Sequence, residues 1–206
     1  MKRAHREQEV PAQVITRKTD VEYAWSSDSK IYDLWEALVK NEPRNEMIVE
    51  DILQAISEGR FPLILTERKE HLGVLAKMLE GKVENLAVLH GGIKLKRRKE
   101  VLEMLQEAND ESGKAILATG SYIGEGFDEP RLDTLFITMP VSFKGKIVQY
   151  VGRLQREYEG KHLGQIYDYL DSKVTVLAAM YRKRVKTYSN LGFKMVGDIS
   201  EKSSGH

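Results

Sequence analysis

A short segment that begins at Gln149 and reads Gln-Tyr-Val-Gly-Arg-Leu-Gln-Arg brings one amide and two guanidinium groups together. Gln149 and Arg153 are four residues apart, and Arg153 and Arg156 are three apart, so in a helix the three side chains share one face. Two guanidinium groups one turn apart can grip a polyphosphate through planar, paired donors. The alternative is a solvated helix whose arginines pair with Glu157 and Glu159.

A second candidate is a glycine-rich stretch that follows an apolar run. Thr119 and Gly120 open the stretch, and Gly126 and Asp128 close it. Glycines let backbone N–H groups approach a phosphate closely, and the Asp128 carboxylate can accept a hydrogen bond from a ribose hydroxyl. The alternative is an irregular turn in which Asp128 caps the backbone before Pro130.

Two further apolar runs also end in polar residues. Thr66 and Arg68 follow the first of these runs, and His90 and Gly91 follow the second. A lone histidine at such a place is more often a hydrogen-bonded turn residue than a ligand-binding one. The basic run 94–99 is likewise more often a solvated helix face than a nucleic-acid patch.

The elements that must position these residues alternate along the chain. Short apolar runs without in-and-out alternation are typical of parallel strands that are buried on both faces. Such runs predict strands at 61–66, 84–89, 114–119, 132–138 and 163–170. Apolar residues at helical spacing predict helices at 31–39, 48–56, 72–79, 95–105 and 174–188. The serines near Ser26 offer N-caps for the first helix, Gly59 ends the second, and 10–19 can form an extended strand.

Repeated strand–helix units predict an α/β fold, a doubly wound, mostly parallel sheet flanked by helices, with an N-terminal helical arm. We expect residues 1–43 to form a strand and helix arm or an interdomain connection. Residues 44–197 then form one domain, and 198–206 are a loose tail. Ligands of such sheets bind at the carboxyl ends of the strands, so we expect the chemistry in the loops after residues 66, 89, 119 and 138.

Composition limits the classes of protein to which the chain can belong. With 206 residues, 41% of them hydrophobic and 31% charged, it is ordinary for a globular domain. The net charge of +1 means that any affinity for nucleic acid must come from locally placed groups. The chain has no cysteine, which excludes disulfides and cysteine-ligated metals. Without a secretory signal or an apolar run that could span a membrane, we expect a cytoplasmic protein with no membrane partner.

Taken together and in order, these segments resemble the second motor domain of superfamily-two helicases, which has a RecA-like fold. The resemblance covers roughly residues 44–190. Segment 149–156 resembles the sixth helicase motif, whose arginines reach the ATP γ-phosphate across an interdomain cleft, and 118–128 resembles the fifth, which joins the nucleic-acid backbone to the nucleotide. Segments 63–68 and 89–92 are similar to the fourth motif and the segment that follows it.

The chain looks most like bacterial and phage helicases of the DEAD/DEAH and restriction-translocase type, and residues 44–52 resemble the helix that opens this domain in restriction-type members. It departs from DEAD-box RNA helicases in two places. Gln149 stands where those proteins usually carry histidine, and the fifth-motif segment is slightly longer than their common form. Both departures favour DNA over RNA as the expected polymer.

Carried over residue by residue, the resemblance implies three sets of site residues. Arg153 and Arg156 are the expected catalytic arginines, and Gln149, Gly126 and Asp128 are expected to contact the nucleotide. The expected nucleic-acid contacts are Thr66, Arg68, His90, Gly91, Thr119 and Gly120.

Two parts of a complete motor are missing from the sequence. No GxxxxGK[ST] segment occurs, and no Asp-Glu pair follows an apolar strand in the way that holds Mg²⁺ in these motors. In the resembled proteins those parts belong to the first RecA-like motor domain, which holds most of the ATP and Mg²⁺. Phosphoryl transfer needs the cradle, the metal and the arginines together. We therefore expect that this chain alone hydrolyses no ATP and that a first motor domain of its parent protein is its partner.

Three other classes of function are alternatives to a motor domain: a binding module, an unrelated nucleotide-binding enzyme and a nuclease. A RecA-like module can keep the fold and only bind nucleic acid or a partner, without catalysis. An unrelated nucleotide-binding α/β enzyme, such as a transferase, would leave the ordered co-occurrence of four motif-like segments unexplained. A metal-dependent nuclease is disfavoured because His71, His90 and His162 are dispersed, while Asp168 and Asp171 are more simply a strand end and a helix cap.

Overall fold

Buried strands and amphipathic helices alternate in the computed structural model, which describes residues 10–109, 112–123, 129–141 and 144–197. The strands are β1 (Ala12–Lys18), β2 (Pro62–Thr66), β3 (Asn85–Leu89), β4 (Lys114–Thr119), β5 (Thr134–Ile137), β6 (Gly164–Leu170) and β7 (Lys194–Val196). The helices are α1 (Ile31–Val39), α2 (Glu42–Ser57), α3 (Lys69–Leu79), α4 (Leu95–Glu107), α5 (Lys144–Leu154) and α6 (Thr175–Asn190).

The strands form one seven-stranded sheet with the order β3-β4-β2-β5-β6-β1-β7. Each strand pairing among the described residues is parallel. Every residue of β2, β4 and β5 is buried, because these central strands carry apolar side chains on both faces. The predicted α/β fold with a doubly wound sheet is confirmed.

Helices cover both faces of the sheet. On one face, α4, α5 and α6 contribute Val101, Ile147 and Tyr188 to a core that includes Leu65 and Ala118 of the strands. On the other face, α2 and α3 pack against alternate residues of the same strands in a second core. The alternation of side chains along each strand thus divides the apolar residues between two helical layers.

The segment that precedes α1 adds a strand to this sheet. β1 lies between β6 and β7, and Val14 and Ile15 are 0% and 2% exposed on its two faces. α1 packs Leu34 and Leu38 into a third cluster with Met139 and other residues that follow the strands. The strand within the segment that we set apart as an arm is therefore part of the sheet.

Only some of the helix ends lie where the sequence predicts them. Gly59 has a φ of 78° directly after α2, as expected for a residue that ends a helix in the left-handed region. α2 begins earlier than predicted, at Glu42, because the Asn41 side chain accepts from Arg44 N and caps it. α1 lacks the predicted serine cap: Lys30 precedes it without a side-chain hydrogen bond. None of the helices in the described ranges is both long and apolar enough to cross a membrane.

Candidate nucleotide and nucleic-acid site

Three neighbouring strands end together at what we call the carboxyl end of the sheet. β2 lies beside β4 with Thr66 opposite Thr119, and β3 lies on the other side of β4 with Leu89 opposite Ala118. Because the strands are parallel, the residues that follow them share this end. It therefore carries five of the predicted nucleic-acid contacts, namely Arg68, His90, Gly91, Thr119 and Gly120.

Thr66, the sixth predicted contact, points into the domain. It is 1% exposed, and its hydroxyl lies 3.0 Å from His71 Nδ1. The other ring nitrogen, His71 Nε2, lies 2.9 Å from Asn45 Oδ1, whereas the Asn45 amide nitrogen donates to Val39 O. Because an amide oxygen only accepts, Nε2 carries the proton and Nδ1 accepts from Thr66. The Thr66 hydroxyl is committed to the fold, and this geometry does not support its predicted contact with a nucleic-acid strand.

His90 and Gly91 form the turn after β3. The Gly92 N–H donates to His90 Nδ1 at 3.1 Å, so a neutral His90 ring carries its proton on Nε2. His90 is half-buried and Gly91 is exposed. The hydrogen-bonded turn that we considered as the alternative for His90 is therefore present. It occupies Nδ1 and leaves Nε2–H as the ring group with the chemistry to donate to a phosphate.

Gly120 occupies a place where a larger residue would have to displace neighbouring side chains. A Cβ built on Gly120 would lie 2.0 Å from Tyr150 Oη and 2.3 Å from Glu67 Oε1, far inside van der Waals contact. The Gly120 N–H donates to Thr66 O at 3.0 Å, which continues the pairing of β2 with β4. Thr119, just before it, is 9% exposed. The end of β4 thus packs directly against side chains of two other segments.

Glu67 joins the carboxyl end of the sheet to α5. Its Oε1 accepts from Tyr150 Oη at 2.6 Å, and its Oε2 accepts from Lys146 Nζ at 2.7 Å. Burial, together with the Glu67 charge, raises the pKa of Tyr150 far above its ordinary value, so the tyrosine remains the donor. Our reading of the sequence missed Glu67 and Tyr150. The sequence did offer one signal: the Glu67 carboxylate stands between Thr66 and Arg68, which were predicted to contact phosphates, so it needs a hydrogen-bond donor of its own.

The arginine segment is helical only in part. Gln149 and Arg153 both lie on α5, four residues apart, so they share one face as predicted. Gln149 is exposed and Arg153 is half-buried. The helix ends at Leu154, however, and Arg156 lies beyond it. The shared face was predicted on the condition that the whole segment is helical, and this condition fails for Arg156, whose carbonyl accepts from Lys161 Nζ at 2.7 Å.

α5 carries these arginines away from the carboxyl end. Its 11 residues rise about 16 Å at 1.5 Å per residue. Leu154 lies against Gly164, the first residue of β6, and Val10, just before β1, donates to Gln155 O at 3.2 Å. We expected the chemistry in the loops after the strands. The residues predicted to contact nucleic acid lie at the carboxyl end, where those loops begin, but Arg156 lies near the amino end of the sheet.

Lys161, which the sequence analysis did not single out, ties two connections together at that amino end. Its Nζ donates to Pro130 O at 3.2 Å and to Arg156 O at 2.7 Å. Burial lowers the pKa of Lys161 to about 8, opposed by the Asp133 carboxylate and assisted by the Arg156 charge. The connection from β4 to β5 is thereby held against the segment that carries Arg156.

Two buried ion pairs hold the connection from β5 to α5. Arg44 Nε donates to Asp171 Oδ1 at 2.9 Å, and Arg44 Nη1 donates to the first carbonyl after β5 at 2.7 Å. Arg184 donates to the Asp168 oxygens at 2.8 and 2.9 Å and to Val141 O at 3.1 Å. The predicted helix cap at Asp171 was wrong, since α6 begins without a side-chain cap and the Asp171 carboxylate is taken up by its ion pair.

Two of the predicted nucleotide contacts, Gly126 and Asp128, lie outside the described residues. Within the part of the chain that the structure describes, no group of three or more His, Cys, Asp or Glu residues could hold a metal ion.

Residues 44–157 match the helicase conserved C-terminal domain family, which is more than half of the chain. Transcript termination protein A18 of Ectromelia virus (strain Moscow) is 30% identical over 121 residues, or 58% of this chain and 24% of that protein. Transcript termination protein A18 of Fowlpox virus (strain NVSL) is 22% identical over 170 residues, or 80% of this chain and 36% of that protein. The chain thus spans 24–36% of the length of these curated relatives.

Solved structures agree on the fold. UvsW of T4 matches with a TM-score of 0.70 at 13% identity, over 93% of this chain and 41% of that one. Dbp5 of S. cerevisiae bound to RNA and ADP BeF3 matches with a TM-score of 0.59 at 12% identity, over 94% and 43%. Domain 2 of the DEAD-box helicase Mss116p bound to an RNA duplex matches at 0.58 and 12%, over 90% and 63%. The chain belongs to the helicase conserved C-terminal domain family and has a RecA-like fold, as the matched helicase structures do.

Proposed function

We propose that the chain is the second motor domain of an ATP-dependent nucleic-acid helicase or translocase. In this proposal its carboxyl end binds the nucleic-acid backbone through Arg68, His90, Gly91, Thr119 and Gly120. The arginines at the far end of α5 complete an ATP site whose remaining parts lie on a first motor domain.

The proposal is supported mainly by one observation: the predicted nucleic-acid contacts and Arg156 are separated by the length of α5. Arg156 lies beyond Leu154, next to the amino end of the sheet, while Glu67 and Lys146 hold the start of α5 at the carboxyl end. A domain that must bind a strand and reach a nucleotide across a cleft needs two such faces. The helix between them supplies a rigid connection.

ATP is the substrate in this proposal. Arg153 and Arg156 would face its terminal phosphates, where guanidinium groups stabilise the charge that develops during phosphoryl transfer. Gln149, on the same helical face as Arg153, would orient that contact. Mg²⁺ would be held by the first motor domain, since the described part of this chain offers no cluster of metal ligands.

Attraction between the γ-phosphate and these arginines would draw the two motor domains together. Loss of that phosphate after hydrolysis would remove the attraction and let the cleft open. Because the strand contacts lie at the opposite end of the domain, each closing and opening would move the domains relative to the strand.

We favour DNA as the polymer because Gln149 and the longer glycine-rich segment depart from the DEAD-box RNA helicase pattern. RNA is the competing polymer. The curated relatives are transcript termination proteins, and the matched structures of Dbp5 and Mss116p domain 2 are bound to RNA.

The direct test is ATP hydrolysis by this chain alone and by the chain joined to its first motor domain, with and without single-stranded DNA, single-stranded RNA or duplex. We expect no turnover by the chain alone and polymer-stimulated turnover by the joined protein, with DNA the stronger stimulant. Steady turnover by the pure chain would contradict the division of parts. A folded joined protein without stimulation would favour the alternative, a non-catalytic RecA-like module that binds nucleic acid or a partner.

A further inference from the structure

α1 presents an aromatic side chain to solvent beside the carboxyl end of the sheet. Tyr32 is 59% exposed, although its neighbours Leu34 and Leu38 are fully buried in the cluster beneath the helix. The guanidinium of Arg68 lies 5.1 Å from the centre of the Tyr32 ring. One face of the ring is thus covered by a cation, and the exposure of the side chain leaves the rest open to a ligand.

The surface around this ring is hollow. A cavity of about 190 Å³ is lined by Tyr32, Trp35 and Arg68. A second cavity of about 300 Å³, which shares Trp35 and Arg68 with the first, continues toward Met139 and Lys146. Arg68 follows β2 directly and belongs to the proposed track for the nucleic-acid backbone, so both cavities are continuous with that track.

The charges of the first cavity balance. Arg68 and Lys40 are its cations, and Glu36 and Glu70 are its carboxylates. Glu36 pairs with Lys40 across one helical turn. A cavity without excess positive charge suits a neutral planar group better than a phosphate. Its aromatic ring and guanidinium plane are the two kinds of surface on which proteins stack unpaired bases.

We propose that Tyr32, backed by Arg68 and flanked by Trp35, is a stacking platform for one unpaired base of a single strand bound along the carboxyl end. This inference rests on the nucleic-acid-binding part of the proposed function and adds a contact to a base where the other proposed contacts are to the backbone. Because every base has a flat face, the platform adds affinity without sequence preference.

The test uses the 206-residue chain and two fluorescent strands of equal length, oligo-dT and an abasic strand with the same phosphates. Affinities are measured by fluorescence anisotropy for the wild type, Tyr32→Ala, Tyr32→Phe and Tyr158→Ala. Tyr158 is the matched control, because it is 47% exposed but lies near the amino end of the sheet. Thermal melting of each variant checks the fold.

We expect Tyr32→Ala to bind oligo-dT about 5- to 100-fold more weakly than the wild type, the range of a single base–aromatic contact. The same variant should bind the abasic strand as the wild type does, and Tyr32→Phe and Tyr158→Ala should bind both strands normally. Normal binding of oligo-dT by Tyr32→Ala would overturn the platform alone. An equal loss on both strands would overturn stacking in favour of a backbone contact, and no binding of either strand by the wild type would overturn the nucleic-acid role itself.

Discussion

His71 lies fully buried between Thr66 and Asn45 and hydrogen-bonds both of them. Burial lowers its pKa to about 3, and the nearby Arg44 charge acts in the same direction. In the unfolded chain the pKa of histidine returns to about 6.5. Between these two values the unfolded state binds a proton that the folded state does not, so this residue makes stability fall as the pH falls.

From this difference in pKa we predict that His71 alone lowers the free energy of unfolding by about 2 kcal/mol between pH 7.5 and pH 5. Urea unfolding at both pH values, followed by circular dichroism, measures it. His71→Gln should lose this part of the pH dependence, and His162→Gln, at an exposed histidine, should keep it. Burial raises the pKa of Asp51 and Asp133, so these two carboxyl groups make stability rise as the pH falls. Their effect is the same in the wild type and both variants, so the difference between the proteins comes from His71. Equal pH dependence in the wild type and His71→Gln would contradict the account.

Single residues also show that the sequence predicts where a residue lies better than it predicts which groups its side chain contacts. The sequence placed Thr66 correctly at the end of a buried strand, but its hydroxyl turns inward to His71 Nδ1. The His71 ring is held in turn by Asn45, which lies on another helix and which the sequence pattern did not connect to Thr66. Gly120 was predicted for close approach to a phosphate. The structure gives it a further requirement, since Tyr150 and Glu67 occupy the space a side chain would need.

At the scale of elements, α5 is the part that connects the two proposed faces. Glu67 fixes its first turns through Lys146 and Tyr150, and Lys161 holds the segment that follows it. The connection that leads into α5 is held by Arg44 and Arg184 through carbonyl groups. The position of Arg153 therefore depends on groups that lie on two helices, α2 and α6, and in two connecting segments, those of Glu67 and Lys161.

We predict that Asp171→Ala lowers the free energy of unfolding by about 3–5 kcal/mol, because it leaves the buried Arg44 guanidinium without its charge partner. Denaturant unfolding measures this loss. The matched control is Glu103→Ala, which removes an exposed helix pair with Lys99 and should cost less than about 0.5 kcal/mol. A similar small effect of both substitutions would show that the Arg44 pair does not hold this connection.

Apolar periodicity predicted the central strands and most helices because the apolar side chains that form the pattern are the ones that each element buries. It was less informative for β1 and β7. β7 has three residues, too few for a pattern, and β1 mixes polar residues with Val14 and Ile15. The end of α5 at Leu154 was missed for a different reason. The contacts just beyond that end come from residues outside the helix, since Val10 N donates to Gln155 O and Lys161 Nζ donates to Arg156 O.

At the scale of the whole molecule, the two proposed sites of this nearly neutral chain lie at opposite ends of one sheet. The net charge of +1 gives no general attraction for nucleic acid, so the contacts must be supplied by residues such as Arg68 and His90. The order of motif-like segments along the sequence was enough to indicate the family. It could not show that the arginines and the strand contacts are separated along α5, because that distance depends on how the helix packs back across the sheet.

Nucleic-acid-stimulated ATP hydrolysis by the chain joined to its first motor domain, measured for the wild type, Arg156→Ala and Arg182→Ala, separates a motor domain from a module that only binds. Arg182 is the control because it is an exposed arginine on α6, outside the segment 149–156. The account predicts that Arg156→Ala lowers kcat by about 10³-fold or more while strand binding is kept, and that Arg182→Ala is near normal. Near-normal turnover in Arg156→Ala would contradict the claim that this domain completes the ATP site.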